Sequence, residues 1–204
     1  MNYTNIYHPE TESKKDYFFG ERFTKWLHKK FFKTPGKLLD VGCGKGVFSL
    51  GFKRIGYEVY GLDKDGSALK LAKSKSLRVS KINLENQKFP FKNNFFDYVF
   101  LRYVISCVQN TNHLLSEIKR VLKPGGLVFI LELNWESSYK MFYDDFTIKL
   151  PFTLKSLKGK LMENNFKIVD GKTFRNIPYI WRYTLKSFDF VFPKNTSMFV
   201  IGKK

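Results

Sequence analysis

The segment Leu38-Leu39-Asp40-Val41-Gly42-Cys43-Gly44-Lys45-Gly46 constrains the fold of this chain more than any other stretch. A short apolar run reads as a buried strand. Three glycines in five residues follow it, and a helical pattern begins at about residue 46. Glycine has no Cβ, so the backbone can turn sharply there and a ligand can lie against it. The helix that follows adds unpaired N–H groups and positive potential at its start. A tight strand–helix turn without a ligand is the bland alternative, but such a turn needs fewer glycines.

The rest of the chain repeats the strand–helix alternation, which predicts a parallel sheet covered on both faces. Residues 14 to about 32 read as an amphipathic helix, with Phe19, Phe23, Trp26 and Phe31 near helical spacing and Pro35-Gly36 ending the segment. Strands are expected at 37–41, 57–62, 77–82, 96–101, 127–133, 166–169 and 197–202, and helices at about 46–55, 66–75, 111–122 and 152–165. Pro124-Gly125-Gly126 is expected to stop the helix before the fifth strand. Residues 134–152 and 174–195 read as aromatic-rich stretches. The 204 residues suit a single domain over 1–204, with an N-terminal helix (14–32), a ligand-binding core (36–133) and acceptor-side additions (134–195).

Two cysteines, Cys43 and Cys107, make neither a disulfide framework nor a zinc site, and no metal is expected. They fit a reducing, cytoplasmic setting. No apolar run approaches the length of a membrane span, and residues 1–4 start no signal pattern. The net charge of +18 creates a field that attracts nucleic acid, anionic lipid or acidic substrates. Its bland reading is a lysine-rich solvated surface.

Asp63 ends the second strand about 20 residues after the glycine turn, where an acid can accept both hydroxyls of a ribose. An N-cap role is the alternative, but Asp65 can perform that capping. A dinucleotide site reads G-x-G-x-x-G, whereas Gly42, Gly44 and Gly46 are evenly spaced and Val47 follows. Asp40 would also lie near a pyrophosphate, negative beside negative in a partly dry cleft. A sulfonium ligand carrying an ammonium group fits that charge better than NAD does.

The segment Leu39–Gly46 resembles motif I of the class I S-adenosylmethionine-dependent methyltransferases, and three further stretches agree in order and spacing. Gly61-Leu62-Asp63 resembles the second motif, Phe89-Pro90-Phe91-Lys92-Asn93-Asn94-Phe95-Phe96-Asp97-Tyr98-Val99 resembles the family's "LPFPDNSFDVV" stretch, and Glu117–Gly126 resembles its "EIxRVLKPGG" turn. The resemblance covers about residues 36–133 and points to the small-molecule type. It implies a Rossmann-like α/β three-layer sandwich with a seven-stranded, mostly parallel sheet of order 3-2-1-4-5-7-6, the last strand antiparallel. It implies S-adenosylmethionine as cofactor and S-adenosylhomocysteine as product. Asp40, Gly42, Cys43 and Gly44 would hold the methionine end, Asp63 with Lys64 beside it the ribose, and Asn83 and Leu84 the adenine, Asn83 standing where relatives often have Asp. Leu101 and Arg102 would face the methyl group. Tyr17 and Arg22 on the first helix can close over the cofactor, Arg22 pairing with its carboxylate. Ser106-Cys107 stand where many relatives carry a His-His pair.

Methyl transfer from a sulfonium is an in-line displacement, and holding the nucleophile in line supplies much of the barrier reduction. No residue is therefore assigned a catalytic role. His8, Tyr17 and Glu132 are candidates around the mouth, the bland reading of Glu132 being a strand-end charge facing water. His113 reads as a surface residue, and the cysteines as small packing residues. Leu101-Arg102-Tyr103-Val104 lacks the Asn/Asp-Pro-Pro-aromatic pattern of base-amine methylation. The remaining acceptors are small molecules: lipid, quinone-like, sugar or other metabolites, with RNA or a non-catalytic binding role as alternatives. Trp135, Tyr139, Met141, Phe142, Tyr143 and Phe146, and then Phe174 to Phe192, form either an apolar acceptor lid or core. The lysines among them would suit peripheral contact with a membrane surface.

Overall fold

A computed structural model describes residues 14–174 and 197–204. The elements run α1 (Lys14–Leu27, continued by a π-helical turn His28–Phe32), β1 (Lys37–Val41), α2 (Val47–Ile55), β2 (Glu58–Asp63), α3 (Gly66–Ser74), β3 (Arg78–Lys81), β4 (Phe96–Arg102), a 3₁₀ turn (Ile105–Cys107), α4 (Thr111–Val121), β5 (Leu122–Leu133), α5 (Trp135–Asp144), α6 (Leu154–Glu163), β6 (Lys167–Phe174) and β7 (Ser197–Lys203). His8 and residues 175–195 of the second aromatic stretch lie outside the described residues.

The seven strands form one sheet of order β3-β2-β1-β4-β5-β7-β6. β1 pairs in parallel with β2 and β4, and β7 runs antiparallel to both β5 and β6. This is the sheet that the motif resemblance implies. Successive strand residues point to opposite faces, so each strand feeds two cores. Leu39, Leu101, Ile130 and Val200 pack with Leu114 and Ile118 of α4 and with Leu157 and Leu161 of α6. Their neighbours Leu38, Phe100, Phe129, Phe199 and Ile201 pack with Phe23 and Leu27 of α1 and with Phe52 of α2. The rings of Phe100, Phe129 and Phe199 stack across β4, β5 and β7 at centroid separations of 5.9 and 5.4 Å. Much of the chain's phenylalanine is used in this second layer.

Three boundaries depart from the sequence expectation. The chain enters β5 at Leu122 and passes through Pro124-Gly125-Gly126 inside the strand; the pairing jumps from Phe96↔Leu122 to Tyr98↔Leu127, and Gly125 takes φ +80°. β6 continues to Phe174 because β7 pairs with it on both sides of a register shift between Ile168 and Asp170, although Lys167, Asp170 and Lys172 mask the apolar pattern. Residues 135–144 form α5, which was not anticipated.

Candidate functional site

The turn after β1 lies at the C-terminal edge of the parallel strands, where ligands bind in open α/β sheets. Gly42, Gly44 and Gly46 all adopt positive φ, at 73°, 51° and 84°. Their surroundings differ. A Cβ on Gly42 would collide with Val104, and one on Gly46 with Leu77, whereas a Cβ on Gly44 would meet nothing within 4 Å. Gly42 and Gly46 let neighbouring elements approach, and Gly44 faces open space.

Asp63 secures this turn. The Gly44 N–H donates to its Oδ2 (2.7 Å) and the Asp65 N–H to its Oδ1 (2.9 Å). Asp65 caps α3 itself, accepting from the N–H groups of Ser67 and Ala68, which leaves Asp63 at the strand end as expected. Asp40 is buried beneath the turn and accepts a hydrogen bond from Ser49 Oγ of α2 (2.6 Å). Burial pushes its carboxyl up to about 7, with the Asp63 charge adding to the rise and Ser49 and Arg102 opposing it. Cys43 packs its sulfur toward Gly61 of β2. Burial, with Asp40 and Asp63 nearby, raises its thiol far above the ordinary range, so it stays neutral and donates to the Gly44 carbonyl (3.8 Å).

The remaining sequence-derived positions divide. Tyr17 is tied to the turn through Lys75, whose ammonium lies 5.0 Å from the Tyr17 ring centroid and donates to the Lys45 carbonyl (2.9 Å). Arg22 is exposed and stacks over Phe18. Asn83 shapes its own turn, its Oδ1 accepting the Glu85 N–H (3.0 Å) while its own N–H donates to Gln87. Leu84 packs half-buried against the core, and Lys64 is exposed. Leu101 is wholly buried in the first core, so only its backbone can serve a ligand. His113 is half-buried rather than a free surface group, its ring nitrogen paired with the Gln87 carbonyl (3.1 Å).

Two features escaped sequence reasoning. Arg102 sits among the rings of Phe19, Phe48 and Tyr103, at 6.0, 4.8 and 4.5 Å from their centroids. Its Nε is buried without a hydrogen-bond partner. Burial lowers its pKa, while Tyr103, Asp16, Asp40 and Glu132 act to hold the charge. The sequence signal was only its place after a buried strand. Glu132 does not face water: it is 1% exposed and accepts from the N–H groups of Leu133 (2.8 Å) and Ser106 (3.3 Å). β5 is buried on both faces here, so no alternation in the sequence marks which way Glu132 points. Burial raises the Glu132 carboxyl to about 7 against those hydrogen bonds and the Arg102 charge.

The site thus combines a glycine cradle open at Gly44, an acid at the end of β2, and two buried carboxyls on either side of a ring-enclosed guanidinium. Acids under and beside the cradle suit a ligand that brings positive charge and hydroxyl donors. Residues 39–130 match the family model described as a methyltransferase domain. A demethylmenaquinone methyltransferase of Staphylococcus haemolyticus is 32% identical over 123 residues, covering 54% of this chain and 52% of that protein. A ubiquinone/menaquinone biosynthesis C-methyltransferase of Chromobacterium violaceum is 34% identical over 143 residues, covering 65% of this chain and 56% of that protein. The chain spans about half the length of these curated relatives. Among solved structures, a SAM-dependent methyltransferase from Archaeoglobus fulgidus superposes with a TM-score of 0.76 at 20% identity, covering 100% of both chains. One from Mesorhizobium loti gives 0.73 at 17% identity, covering 89% of this chain and 98% of the other. These two share the fold.

Proposed function

We propose that the chain is a class I S-adenosylmethionine-dependent methyltransferase, that it binds S-adenosylmethionine over the Gly42–Gly46 turn and that it methylates a small, apolar acceptor. The observation that carries this reading is the opening at Gly44. The cradle is preformed at the one of its three glycines whose missing side chain no neighbour fills. The charge of the donor set agrees, since Asp40 and Asp63 favour a cationic ligand over a pyrophosphate.

Gly44 and the backbone of Cys43 would hold the methionine end, with Asp40 below and Tyr17 at the rim. Asp63 would accept the ribose hydroxyls, and Asn83 and Leu84 would flank the adenine. When bound, the cofactor supplies a methyl group already activated by a sulfonium. The protein's part is to orient the acceptor and keep water out. The curated relatives are named for quinone precursors, and the rings of Trp135, Phe142 and Phe152 gather around Glu132 at the end of β5, which supports a quinone-like ring as the acceptor class we infer. Calorimetry tests the cofactor: S-adenosylmethionine and S-adenosylhomocysteine should bind, and NAD should not. NAD binding without S-adenosylmethionine binding overturns the reading.

A further inference from the structure

A cleft of about 380 Å³ opens where the ends of α4, α6 and β7 meet. Its lining includes Lys119 and Arg120 of α4, Glu163 and Asn165 at the end of α6, and Lys204 just past β7. Lys203 pairs with Leu127, and β5 runs on from there to Leu133. The cleft therefore lies at the edge of the sheet opposite the glycine turn, about 20 Å away along the strands. Its volume is in the range of small-ligand pockets, and among the described residues no aromatic ring lines it.

The charges in the lining do not balance. Arg120 is spent on Glu117 (2.7 Å) and on the carbonyls of Phe89 and Phe91, and Glu163 pairs with Lys160 (3.0 Å). Those two pairs cancel. Lys119 and Lys204 remain, both half-buried, and among the described residues neither joins an ion pair. Lys204 is held in place at both ends. Its main-chain N–H donates to the Gly126 carbonyl (3.0 Å) and its carbonyl accepts from Gly125 (3.1 Å). Its ammonium donates to the Leu122 carbonyl (2.6 Å) and to Asn94 Oδ1 (2.7 Å). An ammonium has three N–H groups, so one is left for the cleft. Burial, and after it the Lys119 charge, lowers the Lys204 pKa, as expected for two ammonium groups that repel each other. The carbonyls at the end of α6 offer this charge no bare acceptor: those of Lys160, Leu161 and Met162 already accept the N–H groups of Asn164, Phe166 and Asn165.

We infer that this cleft is a second ligand site, separate from the cofactor cradle, and that it takes the phosphate group of a small phosphorylated metabolite. A phosphate monoester carries nearly two negative charges at neutral pH and three acceptor oxygens. Placed in the cleft, it answers both unpaired ammonium groups and ends their repulsion, whereas a single carboxylate answers one. The Asn165 side chain adds an amide donor to the same lining. Recognition stops at the phosphate, because a nucleic-acid strand is held by rings on which its bases stack and this lining has none. Neither lysine approaches the glycine turn, so occupancy of the cleft and of the cradle are separate events.

The test uses the full chain, with pyrophosphate as the probe and no added metal ion. Backbone amide chemical shifts should move saturably at Lys119, Asn165 and Lys204 and stay fixed at Gly42–Gly46. The melting temperature should rise with pyrophosphate concentration, as it does for a ligand that binds the folded state alone. Lys119→Gln should melt like wild type without ligand and weaken pyrophosphate binding at least fivefold. Lys204→Gln should weaken binding as well, but it also frees Leu122 and Asn94 from their donor, so the Lys119 variant carries the test. Lys70→Gln/Lys73→Gln is the control: it removes two exposed charges from α3, before β3 at the far end of the sheet order, and should bind pyrophosphate like wild type. Equal weakening in the control and in Lys119→Gln would assign the binding to the overall positive field and overturn the site. The absence of a saturable shift at the cleft amides overturns it too. A single-stranded RNA oligomer that displaces pyrophosphate at lower concentration, and that Lys119→Gln also binds weakly, would make the occupant a nucleic acid and overturn the small metabolite.

Discussion

At Gly44 and Gly42 the same residue type performs two different tasks, and substitution separates them. Ala at position 44 suffers only the left-handed backbone, about 1–2 kcal/mol, because its Cβ enters open space. Ala at 42 suffers the same strain and drives a methyl group into Val104, for roughly 2–5 kcal/mol in total. Thermal unfolding should therefore rank Gly42→Ala well below Gly44→Ala in melting temperature. Cofactor titration should show Gly44→Ala losing affinity despite its milder fold defect; the same affinity as wild type would show that the space over Gly44 holds no ligand. Asp63 carries a related prediction. Both of its oxygens already receive backbone N–H groups, so Asp63→Ala should weaken S-adenosylmethionine binding by about 1.5–3 kcal/mol and also lower the melting temperature of the ligand-free protein. A variant with full stability and weak binding would mean that the turn does not lean on Asp63. The glycine spacing, Asp40 and Asp63 were legible in the sequence because each obeys a local rule of backbone conformation or strand-end position. The burial of Glu132 and the ring enclosure of Arg102 were not, since each depends on what the sheet's neighbours bring across it.

The elements show why the motif stretches recur together. Glu117 and Arg120 of α4 reach across to the segment before β4. The Phe89 N–H donates to Glu117 (2.6 Å), and Arg120 donates to the carbonyls of Phe89 (3.0 Å) and Phe91 (2.7 Å) and to Glu117 itself (2.7 Å). The "FPF" stretch and the "EIKR" stretch are thus two halves of one clamp that holds the chain entering β4. Neither half touches the glycine turn through these bonds. The clamp is mostly shielded from solvent, with side chains 18% and 10% exposed for Arg120 and Glu117. Removing Arg120 strands a buried carboxylate, a loss of about 3–5 kcal/mol. Arg120→Met should then melt far below wild type, and adding Glu117→Gln should recover much of the loss, because the stranded charge is gone. A double variant no better than the single one would show that the hydrogen bonds to Phe89 and Phe91, and not the charge, carry the clamp. Element positions were legible wherever apolar runs were continuous, as in β1, β4 and β7. The start of β5 was obscured by a proline and two glycines that a bulge absorbs, and β6 by the polar residues scattered along an edge strand.

At the scale of the molecule, a strongly basic chain keeps two neutral-leaning carboxyls in its interior. Among the described residues no helix is long and apolar enough to cross a membrane, and the described lysines lie largely on the surface. The acids divide into two sets with opposite pH dependence. Although burial pushes it up, Glu85 is held down to about 2 by Lys149 and by the N–H groups of Asn110 and Gln109, and ion pairs and hydrogen bonds also lower Glu21, Glu58, Asp97 and Glu117. Their stabilisation is present above the unfolded carboxylate range and fades as pH falls below it. Asp40 and Glu132 act the other way. Their folded values near 7 exceed the unfolded values near 4, so between those limits the native state binds more protons than the unfolded chain. Stability then falls as pH rises from about 4.5 to 7, at up to about 1.4 kcal/mol per pH unit for each group, and levels off above. The two sets together place maximum stability on the acidic side of neutral. Other titrations cancel when wild type is compared with the Asp40→Asn/Glu132→Gln double variant. Denaturant unfolding at pH 5 and pH 7.5 should show the wild type losing on the order of 3–5 kcal/mol more than the double variant across that interval. Parallel losses in the two proteins would mean that both carboxylates are already ionised at pH 5, and the burial that raises them would then not govern their charge.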